Sequence, residues 1–275
     1  MMRVLSGDHN LDVYGTVRQE SARQFFLDLP SDHLLSGIDV TCEDSLTKVF
    51  ADIHPTVVIN CVGLIKQLPE AKNPLSALLL NSVLPHRLAA LCRVAQARLI
   101  HISTDCVFSG SKGNYGEESV PDANDLYGRS KLLGEVEYSH TITLRTSIIG
   151  PELGGGRHGL VSWFLGEQNA VKGYRRAIFS GLPTVELAHI IRDYVLPREE
   201  LSGLYHVAST PINKYDLLSL IAKTYGKEIN IIPDDTVMID RSLDAARFQT
   251  ATGYKVPAWP VLIERMYSFN PTKNG

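Results

Sequence analysis

The short sequence LIHIST, at residues 99–104, predicts a buried strand because it is apolar and rich in branched side chains. This strand ends at the hydroxyls of Ser103 and Thr104. A polar, turn-rich loop follows over 110–116, and from Leu126 onward apolar residues recur at helical spacing. A strand, a loop and a helix in this order indicate an α/β unit.

Tyr127 and Lys131 are four residues apart in the predicted helix, so they share one face of it. A tyrosine titrates at about 10, which is too high for efficient acid catalysis at neutral pH. A lysine ammonium one turn away favours the phenolate and lowers that pKa. The alternative is a surface tyrosine that packs on the aliphatic part of a lysine side chain without any catalytic role. The hypothesis of a proton donor therefore depends on the upstream strand that ends at the hydroxyl of Thr104.

STDCVFSG, at residues 103–110, and LYGRSK, at residues 126–131, resemble the STDYVFDG and YGxxK motifs of extended short-chain dehydrogenases/reductases. Within these enzymes the chain is most similar to the dTDP-4-dehydrorhamnose reductase group and its sugar-nucleotide relatives. The resemblance implies that Thr104, Tyr127 and Lys131 are catalytic. Cys106 stands where these reductases usually carry tyrosine, and this departure concerns the substrate more than the chemistry.

The N-terminal region departs from the family pattern. In the family, a first strand and a GxxGxxG loop precede the first helix, whereas Met1–Ser6 here resembles the end of that helix and the first predicted strand is Leu11–Val17. We therefore expect the strand and the loop to be encoded upstream of Met1. The alternative is a fragment or paralogue without its phosphate loop.

Arg18 follows the predicted strand Leu11–Val17, at the position where nicotinamide enzymes choose their cofactor. A basic residue there accommodates a 2′-phosphate, so we expect NADPH to be preferred, with NAD still open; a solvated surface arginine is the alternative. Gly37–Val40 is predicted to be the next strand. The resemblance places Asp39 and Val40 beside the adenine.

Further cofactor contacts are implied by the resemblance. The strongly apolar Thr56–Gly63 predicts a buried strand, whose last residues would pass under a ribose. Asn81 would order a proton-relay water near the lysine, or is simply a polar residue at a helix start. The implied cofactor-binding set is Arg18, Asp39, Val40, Cys61, Val62, Gly63, Asn81, Ser103, Tyr127 and Lys131.

The predicted substrate contacts are spread along the chain. Lys66 lies in a loop beyond a strand end, where ligands bind in open α/β sheets. His158 belongs to a glycine-rich run that predicts a flexible flap, and Arg241 lies in a segment that resembles the family's closing segment. A solvated helix arginine is the alternative for Arg241. The set is Lys66, Thr104, Asp105, His158 and Arg241.

Alternating strands and helices predict a doubly wound parallel sheet of the NAD(P)-binding Rossmann type. We expect a cofactor domain over 1–150 and a substrate-binding lobe over 151–275, which returns about 184–208 to the main sheet. The 275 residues are 44% hydrophobic and 21% charged, as in ordinary globular proteins.

Charge and composition exclude several classes of function. A net charge of −3 gives no electrostatic basis for binding nucleic acid or an anionic membrane. The N-terminus lacks the apolar segment of a secretory signal, so a cytoplasmic protein is expected. The four cysteines form no C-x-x-C pair, and we predict no metal site.

The resemblance implies NADPH-dependent reduction of a 4-keto group on a nucleotide-activated deoxyhexose, in the synthesis of cell-surface polysaccharide precursors. The partner would be the nucleotide sugar, and a homodimer is compatible with this interpretation. Two alternatives stay open. One is a nucleotide-sugar epimerase or dehydratase that keeps NAD bound, and the other is a non-catalytic, nucleotide-binding regulatory subunit.

Overall fold

The computed structural model describes residues 1–269 of the chain. Two compact units are present. The first consists of Met1–Ser103, Asp125–Leu144 and Arg198–Leu204, and the second of Thr104–Asn124, Arg145–Pro197 and the described residues from 205 to 269. The predicted cofactor and substrate domains, divided at residue 150, stay a prediction, because compactness does not identify what each unit binds.

The strands are short. In chain order they are β1 (Gly15–Thr16), β2 (Leu34–Leu35), β3 (Val57–Asn60), β4 (Arg98–Thr104), β5 (Thr141–Thr146), β6 (Ile148–Ile149), β7 (Val171–Tyr174), β8 (Ala177–Phe179), β9 (Leu182–Pro183), β10 (Gly203–His206), β11 (Ile212–Asn213), β12 (Ile231–Asp234) and β13 (Ile239–Asp240).

The α-helices alternate with these strands over much of the chain. They are α1 (Met2–Leu5), α2 (Glu43–Ile53), α3 (Pro74–Ala77), α4 (Leu84–Val94), α5 (Leu126–Leu133), α6 (Leu160–Gly166), α7 (Thr184–Ile190), α8 (Lys214–Tyr225), α9 (Ala246–Thr252) and α10 (Trp259–Ser268). Leu78–Val83 is a π-helical segment that joins α3 to α4.

The main sheet has the strand order β10-β5-β4-β3. Its strands β3 and β4 are parallel, with Val57 opposite Arg98 and Asn60 opposite His101. Parallel pairing of these apolar strands confirms the predicted α/β class. The predicted buried strand Thr56–Gly63 is shorter than expected, because β3 ends at Asn60 and is mostly half-buried. β1 and β2 form a separate parallel pair. The expectation of a further strand upstream of Met1 stays a prediction.

The predicted strand over Gly37–Val40 is wrong, because the strand of this region is β2, Leu34–Leu35. Gly37 adopts a left-handed φ of 73°. The side chain of Asp39 then accepts hydrogen bonds from the backbone nitrogen and the hydroxyl of Thr41, at 2.9 and 2.7 Å. Such a turn, closed by an aspartate side chain, removes the segment from a sheet ladder.

The core of the first unit lies between α2, α4 and β4. Its buried members are Leu46, Leu84, Leu88, Ala89, Cys92, Ala97, Leu99 and Val136. The helical stretch Pro74–Val94 is long and apolar enough to cross a membrane by length and composition alone. This stretch supplies four of these core residues, so we interpret it as a core helix.

The second unit buries its own large side chains, among them Phe164, Phe248, Leu182, Ile190, Ile191 and Leu217. It also holds a three-stranded sheet in the order β11-β8-β13, with β11 antiparallel and β13 parallel to β8. A buried carboxylate, Glu186, accepts hydrogen bonds from Tyr254 and Arg265 at 2.9 and 2.6 Å. The bond from the Arg265 guanidinium is of the charge-assisted kind, which is stronger than a bond between neutral groups.

Candidate active site

The helix that carries Tyr127 and Lys131 is α5, as predicted, and its start is fixed by a cap. Asp125 accepts a hydrogen bond from the backbone nitrogen of Gly128 at 2.8 Å, which satisfies one of the free donors of the first turn. Lys66 places its ammonium 2.6 Å from the other oxygen of Asp125. In this structure Lys66 therefore supports the helix cap, and its predicted contact with substrate stays a prediction.

Lys131 is buried, and its ammonium donates a hydrogen bond to the backbone oxygen of Ile102 at 2.8 Å. Burial lowers the pKa of this lysine to about 8, although the charge of Glu135 opposes the shift. Tyr127 is half-buried and precedes Lys131 by one helical turn. A lysine that titrates so close to neutrality suits proton transfer.

Small residues let α5 approach the π-helical segment Leu78–Val83. A Cβ atom on Gly134 would come within 1.9 Å of the backbone oxygen of Asn81. One turn earlier, the backbone oxygen of Ser130 accepts a hydrogen bond from Ser82 at 2.7 Å. Sequence reasoning missed this contact, although the small residues Ser130 and Gly134, four positions apart, were its signal.

Asn81 lies inside the continuous helical stretch Pro74–Val94, not at a helix start. Its side-chain oxygen accepts from the backbone nitrogen of Leu64 at 2.8 Å, and its nitrogen donates to Ser130 at 3.1 Å. π-Helical turns often mark functional sites because they turn one side chain out of the regular register. The role of Asn81 in a proton relay stays a prediction.

The segment Cys61–Gly63 directly follows β3 and is exposed. A Cβ atom on Gly63 would lie 3.2 Å from the side-chain oxygen of Asn81 and 3.9 Å from the ammonium of Lys131. The missing side chain of Gly63 therefore lets this backbone lie close to Asn81 and Lys131. A glycine beside a lysine ammonium fits the close approach of a ribose, and the contact that the resemblance implies stays a prediction.

Asn60 and His101 form a buried polar pair in the main sheet that sequence reasoning missed. The side-chain nitrogen of Asn60 lies 3.1 Å from Nδ1 of His101. Burial and the charge of Lys131 hold the pKa of His101 well below its usual value, so this histidine is neutral. The signal for this pair in the sequence was one polar residue in each of two apolar strands.

Ser103, at the end of β4, donates a hydrogen bond to the carboxylate of Glu135 at 2.7 Å.

The exposed Arg18 and the half-buried Asp39 are neighbours at the predicted adenosine end of the cofactor, with 3.8 Å between guanidinium and carboxylate. Hydrogen bonds from Thr41 lower the pKa of Asp39, so it stays ionised beside Arg18. Val40 packs against the hydrophobic core. Between Met1 and Gly63 the sequence contains only four glycines, at 7, 15, 37 and 63, and hence no GxxGxxG turn for a pyrophosphate.

Thr104, Asp105 and Arg241 come together in the second unit. The hydroxyl of Thr104 accepts from the backbone nitrogen of Cys106 at 3.1 Å and lies 3.3 Å from the carboxylate of Asp105. Burial raises the pKa of Asp105, and the charge of Arg241 opposes that shift. His158 is exposed, in the segment before α6. The roles of all the predicted site residues stay predictions.

Comparisons with known proteins give a consistent result. The chain is 29% identical over 212 residues to dTDP-4-keto-6-deoxy-D-glucose reductase from Streptomyces niveus, which covers 73% of this chain and 72% of that protein. It is 38% identical over 111 residues to methionine adenosyltransferase 2 subunit beta from Xenopus tropicalis, which covers 40% of this chain and 32% of that protein.

A similar fold occurs in dTDP-4-dehydrorhamnose reductase from Bacillus anthracis, whose crystal structure contains NADP. The TM-score is 0.75 at 20% identity, over 92% of this chain and 96% of that chain. This likeness confirms the predicted Rossmann-type fold. The family described as RmlD substrate binding domain matches residues 8–267, which is nearly the whole described chain. The protein therefore belongs to the RmlD substrate binding domain family.

Proposed function

We propose that the protein reduces the 4-keto group of a nucleotide-activated deoxyhexose with NADPH, in the synthesis of cell-surface polysaccharide precursors. The observation that carries the proposal is the buried Lys131 one turn after Tyr127, on a helix capped by Asp125. Relatives named as sugar-nucleotide reductases support it. We propose that the protein acts in the cytoplasm. A homodimer is compatible with this function, and gel filtration would test for it.

In this proposal Tyr127 protonates the alkoxide that develops at the keto oxygen. Lys131 lowers the pKa of the phenol by its positive charge and also binds the ribose of the cofactor. Its bond to Ile102 and the contact of Gly134 with Asn81 hold the ammonium in place. Thr104 donates a hydrogen bond to the same substrate oxygen, which requires its hydroxyl to turn away from Asp105.

When bound, NADPH supplies the hydride. In this proposal residues of the first unit contact both ends of the cofactor. Gly63 and Lys131 lie at the ribose of the nicotinamide, and Arg18 lies at the adenosine. NADPH is the preferred cofactor in this proposal, with NAD as the weaker one.

The test is an assay of NADPH consumption with dTDP-4-keto-6-deoxyglucose as substrate and with NADH in parallel. The proposal expects consumption that needs both the sugar nucleotide and the intact Tyr127. If the sugar nucleotide is consumed while the cofactor stays bound and is regenerated, the epimerase or dehydratase alternative is correct.

The second candidate function is a non-catalytic regulatory subunit. The similarity to methionine adenosyltransferase 2 subunit beta favours it, because that stretch is 38% identical. The presence of Thr104, Tyr127 and Lys131 argues against it, because a non-catalytic subunit needs no proton donor. Cofactor binding without turnover of any 4-keto sugar nucleotide would favour the regulatory role.

A further inference from the structure

Lys214, at the start of α8 in the second unit, has no assigned role in the mechanism. It is half-buried, and burial lowers the pKa of its ammonium. Within residues 1–269 its ammonium forms no hydrogen bond or ion pair, and the charges that act on it most are those of Asp105 and Arg241. A partly desolvated cation without a partner costs free energy. This cost would be offset if the ammonium contacted an anion in the working protein.

The three-stranded sheet of the second unit positions Lys214 and Arg241. On either side of β8, Asn213 and Asp240 both pair with Ile178. Neighbouring strands are about 4.8 Å apart, so the backbones of these two residues are separated by about 10 Å. Lys214 and Arg241 are the residues that follow them. Because β11 is antiparallel and β13 parallel to β8, Lys214 and Arg241 follow on opposite sides of β8 and towards its opposite ends.

Arg241 is tied firmly to the loop that follows Thr104. Its guanidinium donates a hydrogen bond to the backbone oxygen of Phe108 at 2.7 Å. On the residue before it, the backbone nitrogen of Asp240 donates to the oxygen of Gly110 at 2.8 Å. Gly110 has a left-handed φ of 86°, and a Cβ atom there would come within 3.0 Å of Arg241. The position of Arg241 near Asp105 is therefore determined by several contacts.

The charge of Asp105 raises the pKa of Lys214, whereas the charge of Arg241 lowers it. Arg241 in turn lowers the pKa of Asp105, so both cations lie within electrostatic range of one group. Asp105 is buried and lies next to the hydroxyl of Thr104. Lys214 and Arg241 therefore act on the surroundings of Thr104, the residue proposed to contact the reacting sugar.

We propose that Lys214 binds an anionic group of the sugar nucleotide, with Arg241 as the second cation. This inference rests on the proposed function. The anionic group is either the diphosphate or a carboxylate on the hexose, and both are oxygen anions of the kind that lysine and arginine bind through charge-assisted hydrogen bonds. Lys214 is thus a residue for substrate affinity and does not take part in proton transfer.

The experiment compares the wild-type protein with Lys214→Met, which keeps the length of the side chain and removes its charge, and with Lys214→Arg, which restores the charge. Lys223→Met is the matched control, because Lys223 is an exposed lysine on the same helix. The probes are dTDP, dTDP-glucose and dTDP-glucuronic acid, titrated by calorimetry. Melting curves of all variants exclude a folding defect.

We expect Lys214→Met to weaken binding by about tenfold or more, since a charge-assisted hydrogen bond is lost. Lys214→Arg should recover most of the affinity, and Lys223→Met should bind as the wild type does. A loss with all three probes identifies the diphosphate as the anion. A loss confined to dTDP-glucuronic acid identifies the carboxylate.

Equal affinities of the wild-type protein and Lys214→Met for all three probes would overturn this inference and leave the proposed function intact. If the wild-type protein binds none of the probes, the proposed function fails and the inference fails with it. The two failures are thus distinguished by the wild-type titration alone.

Discussion

The ammonium of Lys131 donates a hydrogen bond to the backbone oxygen of Ile102, 2.8 Å away, and so connects helix α5 to strand β4. The charge is held in a buried place, which lowers the pKa of the lysine to about 8. In the proposed mechanism this cation keeps Tyr127 acidic. The same burial should make the protein less stable when the lysine is charged, and both consequences are measurable.

The first prediction concerns Lys131→Met and the pH dependence of stability. The pKa of Lys131 is about 8 in the folded protein, against about 10.4 for a free lysine. Between these two values the unfolded chain binds more protons at this group, so the free energy of unfolding rises with pH across that window. Below pH 8 the full cost of the buried charge is present.

We therefore expect Lys131→Met to be more stable than the wild-type protein by about 1–3 kcal/mol at pH 7, with the difference shrinking towards pH 10. Urea denaturation at both pH values measures it. Lys48→Met, at an exposed position of α2, is the control and should show no such dependence. A stability difference for Lys131→Met that is the same at pH 7 and pH 10 would contradict the lowered pKa.

Tyr127→Phe should lower turnover by about 10²–10⁴-fold, because it removes the proposed proton donor and leaves the ring in place. Its melting temperature should stay close to that of the wild-type protein. Tyr138→Phe, at an exposed tyrosine, is the control and should remain active. Turnover of Tyr127→Phe within threefold of the wild-type value would remove Tyr127 from the mechanism.

Arg18→Ala should reduce the preference for NADPH over NADH by about tenfold to a hundredfold, if Arg18 binds the 2′-phosphate through charge-assisted hydrogen bonds. Asp39→Asn should act in the opposite direction, because the carboxylate lies 3.8 Å from the guanidinium and repels a phosphate. Titration with both cofactors gives the two ratios. An unchanged ratio in Arg18→Ala would mean that Arg18 is a surface charge only.

Gly134→Ala should destabilise the protein by about 1–3 kcal/mol, because the new methyl group would come within 1.9 Å of the backbone oxygen of Asn81. Gly134 has a φ of −95°, so the clash and not the backbone conformation is the cause. Gly116→Ala is the control, because a Cβ atom on Gly116 would meet no other atom within 4 Å among the described residues. Equal urea midpoints for the two variants would show that α5 can move away from Asn81.

The strand and the helix that carry the candidate catalytic residues were predictable from local sequence patterns. The apolar run at residues 99–104 predicted strand β4, and the spacing after Leu126 predicted helix α5 with Tyr127 and Lys131 one turn apart. Both signals come from residues within a few positions of each other. The family pattern added the fold, which the comparison with solved structures confirmed.

Contacts between distant segments were not predictable from the sequence. The bond between Lys66 and Asp125 joins residues 59 positions apart, and the pair Asn60 and His101 is 41 positions apart. Asn81, in the π-helical segment Leu78–Val83, lies very close to Gly134, and no pattern within the segment shows this approach. These features require the register of the sheet and the packing of α5 to be known first.

The most direct test of the central claim is the fate of a deuterium label on the nicotinamide. The protein is incubated with dTDP-4-keto-6-deoxyglucose and NADPH that carries deuterium in both positions at C4 of the nicotinamide, and the sugar product is analysed by mass spectrometry and NMR. The account predicts deuterium at C4 of the hexose in wild-type protein and at most about one hundredth of that rate in Tyr127→Phe. A hexose without deuterium at C4, from protein that binds both NADPH and the sugar nucleotide, would contradict it.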